Sequence, residues 1–134
     1  MNYLVFDTNV ISYLFKGDTR GDLYQPYVTG SLGIVSFMTI AELELWANTR
    51  NWGPRKRAEL EIFLQPFTVI ESDRALCHQW AAIKDQVESN GSHIDTADTW
   101  IAATALLYRV PLVSHNRNHF NRVPGLQLIS EAPM

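Results

Sequence analysis

Four oxygen-bearing side chains, Asp7, Glu42, Asp98 and Asn116, fall where an apolar run gives way to a helical pattern, or within the first turn of the helix that follows. Asp7 is the plainest case. Tyr3-Leu4-Val5-Phe6 runs into Asp7-Thr8-Asn9, after which Val10, Ile11, Tyr13 and Leu14 recur at helical spacing. An acid closing a buried strand is disfavoured unless its charge is wanted, and open α/β sheets bind ligands at the carboxyl ends of their strands. Carboxylates held within a few ångströms of one another repel, so one must take up a proton unless a cation lies between them. A set of oxygen ligands without His or Cys selects hard ions, Mg2+ or Mn2+ over zinc. Such ions generate hydroxide from water, align it on phosphorus and stabilise the leaving oxygen. A phosphate substrate follows from that chemistry.

Acids at helix starts also have a purely structural use, because the first turn carries unpaired N–H groups and the positive end of the dipole. Thr39-Ile40-Ala41-Glu42 fits the Ser/Thr-x-x-Glu capping box, Asp95-Thr96-Ala97-Asp98 resembles one, and Asp7 could cap the helix that begins at Thr8. Singly, Glu42 and Asp98 read as caps. Together with Asp7 and Asn116 at one edge of a sheet they read as a site, since independent caps have no reason to converge. Asp95 is read as a cap, although its i, i+3 relation to Asp98 would let it add charge there.

Other chemistries are thin. His78, His93, His115 and His119 lack metal-ligand spacing, and the last two are expected to face substrate or solvent. There is no Gly-rich phosphate loop. Ser36 and Ser114 lack a nucleophile elbow, and Trp46, Trp52, Trp80 and Trp100 read as packing residues.

The elements that must position the four residues alternate between strand and helix: strand about 2–6, helix 8–16, a weaker helix about 20–30, and strand 33–36. A helix capped by Thr39 then runs to about Arg50, and Pro54 opens the next. Strand 67–70 precedes a long helix opened by Asp73 and closed at Asn90-Gly91. A very apolar helix capped by Asp95 follows, then strand 111–114, a short helix 116–120 and strand 126–129. Strands alternating with helices predict a parallel, helix-covered sheet.

At 134 residues the chain suits one domain, residues 1–134, with one core. A hydrophobic fraction of 46% and a charged fraction of 19% are those of an ordinary globular protein. The formal charge of -3 argues against gripping nucleic acid by bulk positive charge. It does not exclude a nucleic-acid enzyme whose acids hold metal cations. The basic residues are clustered: Arg50, Arg55, Lys56 and Arg57 in one stretch, Arg117 and Arg122 in another. Cys77 is the sole cysteine, read as a buried thiol, and excludes an intramolecular disulfide. No long apolar run or signal pattern appears, so a soluble cytoplasmic protein without a membrane role is expected.

The segments LVFDTNVISYLF, SFMTIAELELW, DTADTWIAATAL and PLVSHNRNHF, in this order and at this spacing, resemble a PIN domain, and within that superfamily the VapC-type toxins of toxin–antitoxin pairs. The likeness implies a three-layer α/β/α sandwich around a parallel five-stranded sheet, with a Mg2+- or Mn2+-dependent endoribonuclease site at the strand ends. Carried over, Asp7, Glu42 and Asp98 match the metal-binding acids, and Thr8 and Asn9 the polar pair supporting the first. Asn116 stands where a fourth acid is common, contacting metal or the attacking water. The likeness also implies an RNA substrate, a homodimer, and a cognate antitoxin that covers the acidic cleft in a hetero-oligomer. Two other classes compete: a DNA nuclease of the same superfamily, and a phosphoacceptor or binding module on a flavodoxin-like sheet. Receiver-type sites group two acids early and a Lys late; here residues 1–17 hold one acid and no Lys follows Lys84.

Overall fold

A computed structural model describes residues 2–134. Its elements are β1 (Asn2–Phe6), α1 (Thr8–Lys16), α2 (Thr19–Asp22), α3 (Gln25–Thr29), β2 (Ser31–Ser36), α4 (Phe37–Thr49), α5 (Pro54–Leu64), β3 (Thr68–Ile70), α6 (Arg74–Ser89), α7 (Thr96–Tyr108), β4 (Leu112–Val113), α8 (Arg117–Phe120) and β5 (Leu128–Ile129). All four strand pairings are parallel, in the order β3-β2-β1-β4-β5.

Side chains alternate across the strands and so feed two cores. Leu4 and Phe6 of β1, Val35 of β2 and Val113 of β4 pack with Val10 and Ile11 of α1 and Leu43 of α4. Val5, Ile34 and Leu112 point the other way, toward Leu76 and Ile83 of α6 and Ile101 and Ala102 of α7. A three-layer α/β/α arrangement results. Gly33 is required where β2 passes Phe67, because a Cβ there would come within 2.6 Å of that ring.

The strand order reverses between β1 and β4. Successive strands lead outward from β1 through β2 to β3, and the chain then returns to the opposite side of β1 through β4 and β5. The crevice at such a switch point, outside the carboxyl ends of the strands, is the usual ligand position of an open α/β sheet. Phe6 pairs with Val113, so Asp7 and Ser114 emerge side by side at that crevice.

Local structure departs from the sequence reading at several points. The expected helix over residues 20–30 is two short helices. The cap of α4 is Ser36, whose hydroxyl accepts from the Met38 N–H, and not Thr39. Ser36 is both the last residue of β2 and the first cap of α4, so no loop announces the boundary. Asp95 occupies the cap position of α7 without a side-chain cap bond; its carboxylate meets His93 Nε2 at 3.0 Å instead. Cys77 is exposed, because the buried stripe of α6 runs through Leu76, Ile83 and Val87 and a neighbour in sequence lies about 100° around the helix. Trp52, outside any helix, is buried, and Trp80 and Trp100 pack at 5.4 Å. Among the described residues no helix is long and apolar enough to cross a membrane.

Candidate active site

Asp7 is at once a cap and the first acid of the candidate site. Its backbone is extended and its Oδ1 accepts from the Thr8 N–H at 2.8 Å, closing the first turn of α1. Its Oδ2 accepts from the Ser114 hydroxyl at 2.8 Å. The residue is only 3% exposed, and burial pushes its carboxyl up to about 7. The charges of Asp98 and Glu42 push in the same direction, and the two hydrogen bonds pull back.

Glu42 lies in the second turn of α4, beyond the unpaired N–H groups of its start, so the capping-box reading of Thr39 and Glu42 fails. Thr39 is fully buried, and its Oγ1 sits 2.8 Å from Thr8 Oγ1. Thr8 in turn donates to Glu42 Oε1 at 2.7 Å. With the single Thr8 proton committed to Glu42, Thr39 must be the donor to Thr8, and the relay runs Thr39 to Thr8 to Glu42. Thr8 therefore touches two of the three acids, Asp7 through its backbone and Glu42 through its hydroxyl. Asn9, expected as its companion, makes no side-chain hydrogen bond among the described residues.

Asp98 stands in the first turn of α7, yet its oxygen Oδ2 meets His119 Nδ1 of α8 at 3.0 Å. Burial raises its carboxyl, Asp95 adds to the rise, and His119 opposes it. Glu42 is raised by burial first and then by the charge of Asp98, against the Thr8 hydroxyl. The three acids thus lie in one another's fields.

Asn116 holds the cap position of α8 without a side-chain cap bond. Its N–H donates to Ser114 Oγ at 3.0 Å, so one hydroxyl links Asn116 to Asp7. Asn116 and His119 face a cleft of about 550 Å³ that the C-terminal residues Ala132, Pro133 and Met134 also line. Asp98 and His119 line a smaller notch of about 130 Å³. The loop is held from behind: the Tyr24 hydroxyl lies 2.6 Å from His115 Nδ1, and Arg117 donates to the carbonyls of Ser130 and Ala132.

Sequence reasoning missed Ser114, Thr39 and His119. Ser114 becomes a partner of Asp7 only through the β1–β4 register, and His119 meets Asp98 only through the packing of α8 beside α7. The position of Ser114 directly after an apolar run, as Asp7 follows another, is the one signal present in the sequence.

The donor chemistry and the field fit a hard divalent cation. Every carboxylate is raised, and among the described residues no Lys or Arg forms an ion pair with Asp7, Glu42 or Asp98. The spacing is looser than a finished metal cage, since among the described residues no three His, Cys, Asp or Glu side chains stand at metal-holding geometry. Glu42 and Asp98 are partly exposed, whereas Asp7 is buried with both carboxylate oxygens bonded.

Known proteins share this fold and much of the sequence length. Ribonuclease VapC1 of Haemophilus influenzae (strain R2866) is 28% identical over 126 residues, covering 92% of this chain and 93% of the relative. Ribonuclease VapC2 of Rickettsia felis is 26% identical over 126 residues, covering 92% and 94%. Among solved structures, VapBC-1 from nontypeable Haemophilus influenzae superposes with a TM-score of 0.82 at 27% identity, over 97% of this chain and 98% of that one. DNA-bound VapBC from Salmonella typhimurium gives 0.85 at 22% identity and the same coverage. The PIN domain family model matches residues 4–126, and the chain belongs to that family.

Proposed function

We propose that the chain, acting as a single PIN domain, is the toxin of a toxin–antitoxin pair: a Mg2+- or Mn2+-dependent endoribonuclease neutralised by a cognate antitoxin. The observation that supports the reading is that Asp7, Glu42 and Asp98, each raised first by burial, lie in one another's fields at the strand-end side of the sheet without a Lys or Arg ion pair among the described residues. Relatives named ribonuclease VapC along almost the whole chain support the RNA substrate, and the likeness to a VapBC assembly supports the antitoxin. The protein is expected in the cytoplasm, as a homodimer or a toxin–antitoxin hetero-oligomer.

Asp7, Glu42 and Asp98 would hold the ion, with Asn116 contacting it or the attacking water. Once bound, the cation supplies activated water and charge neutralisation at the scissile phosphate. The chain's own residues keep the acids ready. Ser114 and the Thr8 N–H fix both oxygens of Asp7, the Thr39–Thr8 relay aims Glu42, and His119 orients Asp98 from the neighbouring helix. Such partners tune metal sites nearly as strongly as the ligands do. The sheet order 3-2-1-4-5 differs from the flavodoxin-like 2-1-3-4-5, and no Lys forms an ion pair with Asp7 among the described residues. Nothing therefore favours the phosphoacceptor reading.

The test is incubation of total RNA and of duplex DNA with purified protein freed of any partner, in Mg2+, in Mn2+ and in EDTA, beside Asp98→Ala. Discrete RNA fragments that vanish in EDTA and in the variant are the expected result. Cleavage of DNA alone would replace the substrate, and fragments persisting in EDTA would remove the metal.

A further inference from the structure

The structure divides the basic residues into those committed to the fold and those left free. Arg57 donates to the carbonyls of Trp52 and Ala47, Arg117 to those of Ser130 and Ala132, and Arg55 pairs with Glu59. Arg20 is bonded to Asp18 at 2.8 Å. Lys16, Arg50 and Lys56 are exposed and, like Arg74, Arg109 and Arg122, form no ion pair among the described residues; they differ from those three in being drawn together.

Lys16, Arg50 and Lys56 come from separate elements and converge. Lys16 Nζ lies 5.9 Å, and the Arg50 guanidinium 4.9 Å, from the centroid of the same Trp46 ring. Lys56 Nζ lies 4.3 Å from the centroid of the Trp52 ring, and the Trp52 backbone N–H donates to the carbonyl of Ala47 in the last turn of α4. The Lys16 ammonium is depressed by burial and by the charges of Arg50 and Lys56. Cations crowded in this way repel one another and gain from an anion placed among them. In a chain of net charge -3 this concentration stands out from its surroundings.

Its place relative to the acids gives it a use. Thr8 and Lys16 lie at the two ends of α1, and Glu42 and Arg50 are separated by the same eight positions along α4. At 1.5 Å per residue each helix carries the patch about 12 Å from the acids. α1 thus runs from beside Asp7 to Lys16, and α4 carries Glu42 in its second turn and is followed at its end by Arg50.

We propose that Lys16, Arg50 and Lys56, backed by Trp46 and Trp52, form the dock for backbone phosphates of the RNA strand a few nucleotides from the scissile bond. The inference rests on the ribonuclease reading and supplies what the acidic centre lacks, a direct electrostatic grip on the strand. Cation clusters interleaved with aromatic rings track single-stranded backbones without reading sequence. The patch therefore sets affinity and leaves cleavage chemistry to the acids.

The test measures anisotropy of a labelled single-stranded RNA oligonucleotide with the full chain in Ca2+, across a salt series, for wild type, Lys16→Gln/Arg50→Gln/Lys56→Gln and the control Arg55→Gln/Arg122→Gln. With three phosphate contacts at about 0.7 each, the triple variant lowers the slope of log K against log salt by about 2. Its Kd rises at least tenfold at low salt, and kcat for cleavage in Mg2+ stays near wild type while KM rises. Lys16→Arg/Lys56→Arg retains binding, and equal melting temperatures exclude loss of fold. An unchanged slope in the triple variant, or an equal drop in the control, overturns the dock while Mg2+-dependent cleavage leaves the nuclease standing. Wild-type protein that neither binds nor cuts RNA overturns both.

Discussion

Asp7 and Asp98 carry the same functional group in one candidate site, and they are held in opposite ways. Asp7 closes β1, caps α1, spends both oxygens on hydrogen bonds and is sealed from solvent. Asp98 is partly exposed at the start of a helix, and among the described residues its carboxylate pairs with a histidine on a short neighbouring helix. One acid is built into the framework, and the other supports neither a cap nor the core. The proposed metal centre would then have one buried, doubly hydrogen-bonded acid beside two more exposed ones, and among the described residues no three such groups stand at metal-holding geometry.

The largest expected effect that exploits the contrast is Asp98→Ala. Cleavage falls to background, while the melting temperature moves by less than about 1 kcal/mol in equivalent stability, because the side chain supports neither cap nor core. An unfolded or strongly destabilised variant would show that Asp98 is framework after all.

Asp7 gives the complementary signature, in stability against pH. Its folded carboxyl titrates at about 7, above its ordinary value of 3.8. The native state therefore keeps a proton that the unfolded chain releases. In EDTA, stability falls as pH rises from about 4 to about 7, by up to about 1.4 kcal/mol per pH unit. Asp7→Asn removes that slope along with cleavage, and Mg2+ offsets it in the wild type. Chemical denaturation at pH 5 and pH 8 reads the difference, and identical slopes in both proteins contradict the assignment.

Ser114→Ala probes the anchor without touching a ligand. It leaves Asp7 Oδ2 and the Asn116 N–H without their partner, costing about 1–3 kcal/mol and about 10- to 100-fold in cleavage. Asp95→Ala is the smallest effect. The sequence makes Asp95 a cap, but its exposed carboxylate is turned to His93 and caps nothing, so stability shifts by less than about 0.5 kcal/mol and cleavage rates stay within twofold. A loss matching that of Asp98→Ala would bring Asp95 into the site.

The same contrast explains what could be read from the residues in order. Asp7 is legible because strand, acid and helix follow without interruption, and the alternation of elements was enough to expect a parallel five-stranded sheet. Ser114, Thr39 and His119 are not legible, because each gains its role from a neighbour at least 21 positions away, by strand register or helix packing. Thr39 misled as a cap because Ser36, three residues earlier, has the same capping chemistry and ends β2 as well. Cys77 misled because one position along a helix turns a side chain by about 100°. The free cations were legible only as a stretch near Arg50; Lys16 joins them through the fold, and Arg57 leaves them for the same reason.

The most direct measurement of the central claim is a Mn2+ titration of partner-free protein followed by electron paramagnetic resonance, with Asp98→Asn alongside. Saturable binding near one or two ions per chain, weakened at least tenfold in the variant, is the predicted result. Equal Mn2+ affinity in the two proteins, or none in the wild type, would contradict a metal site built from Asp7, Glu42 and Asp98.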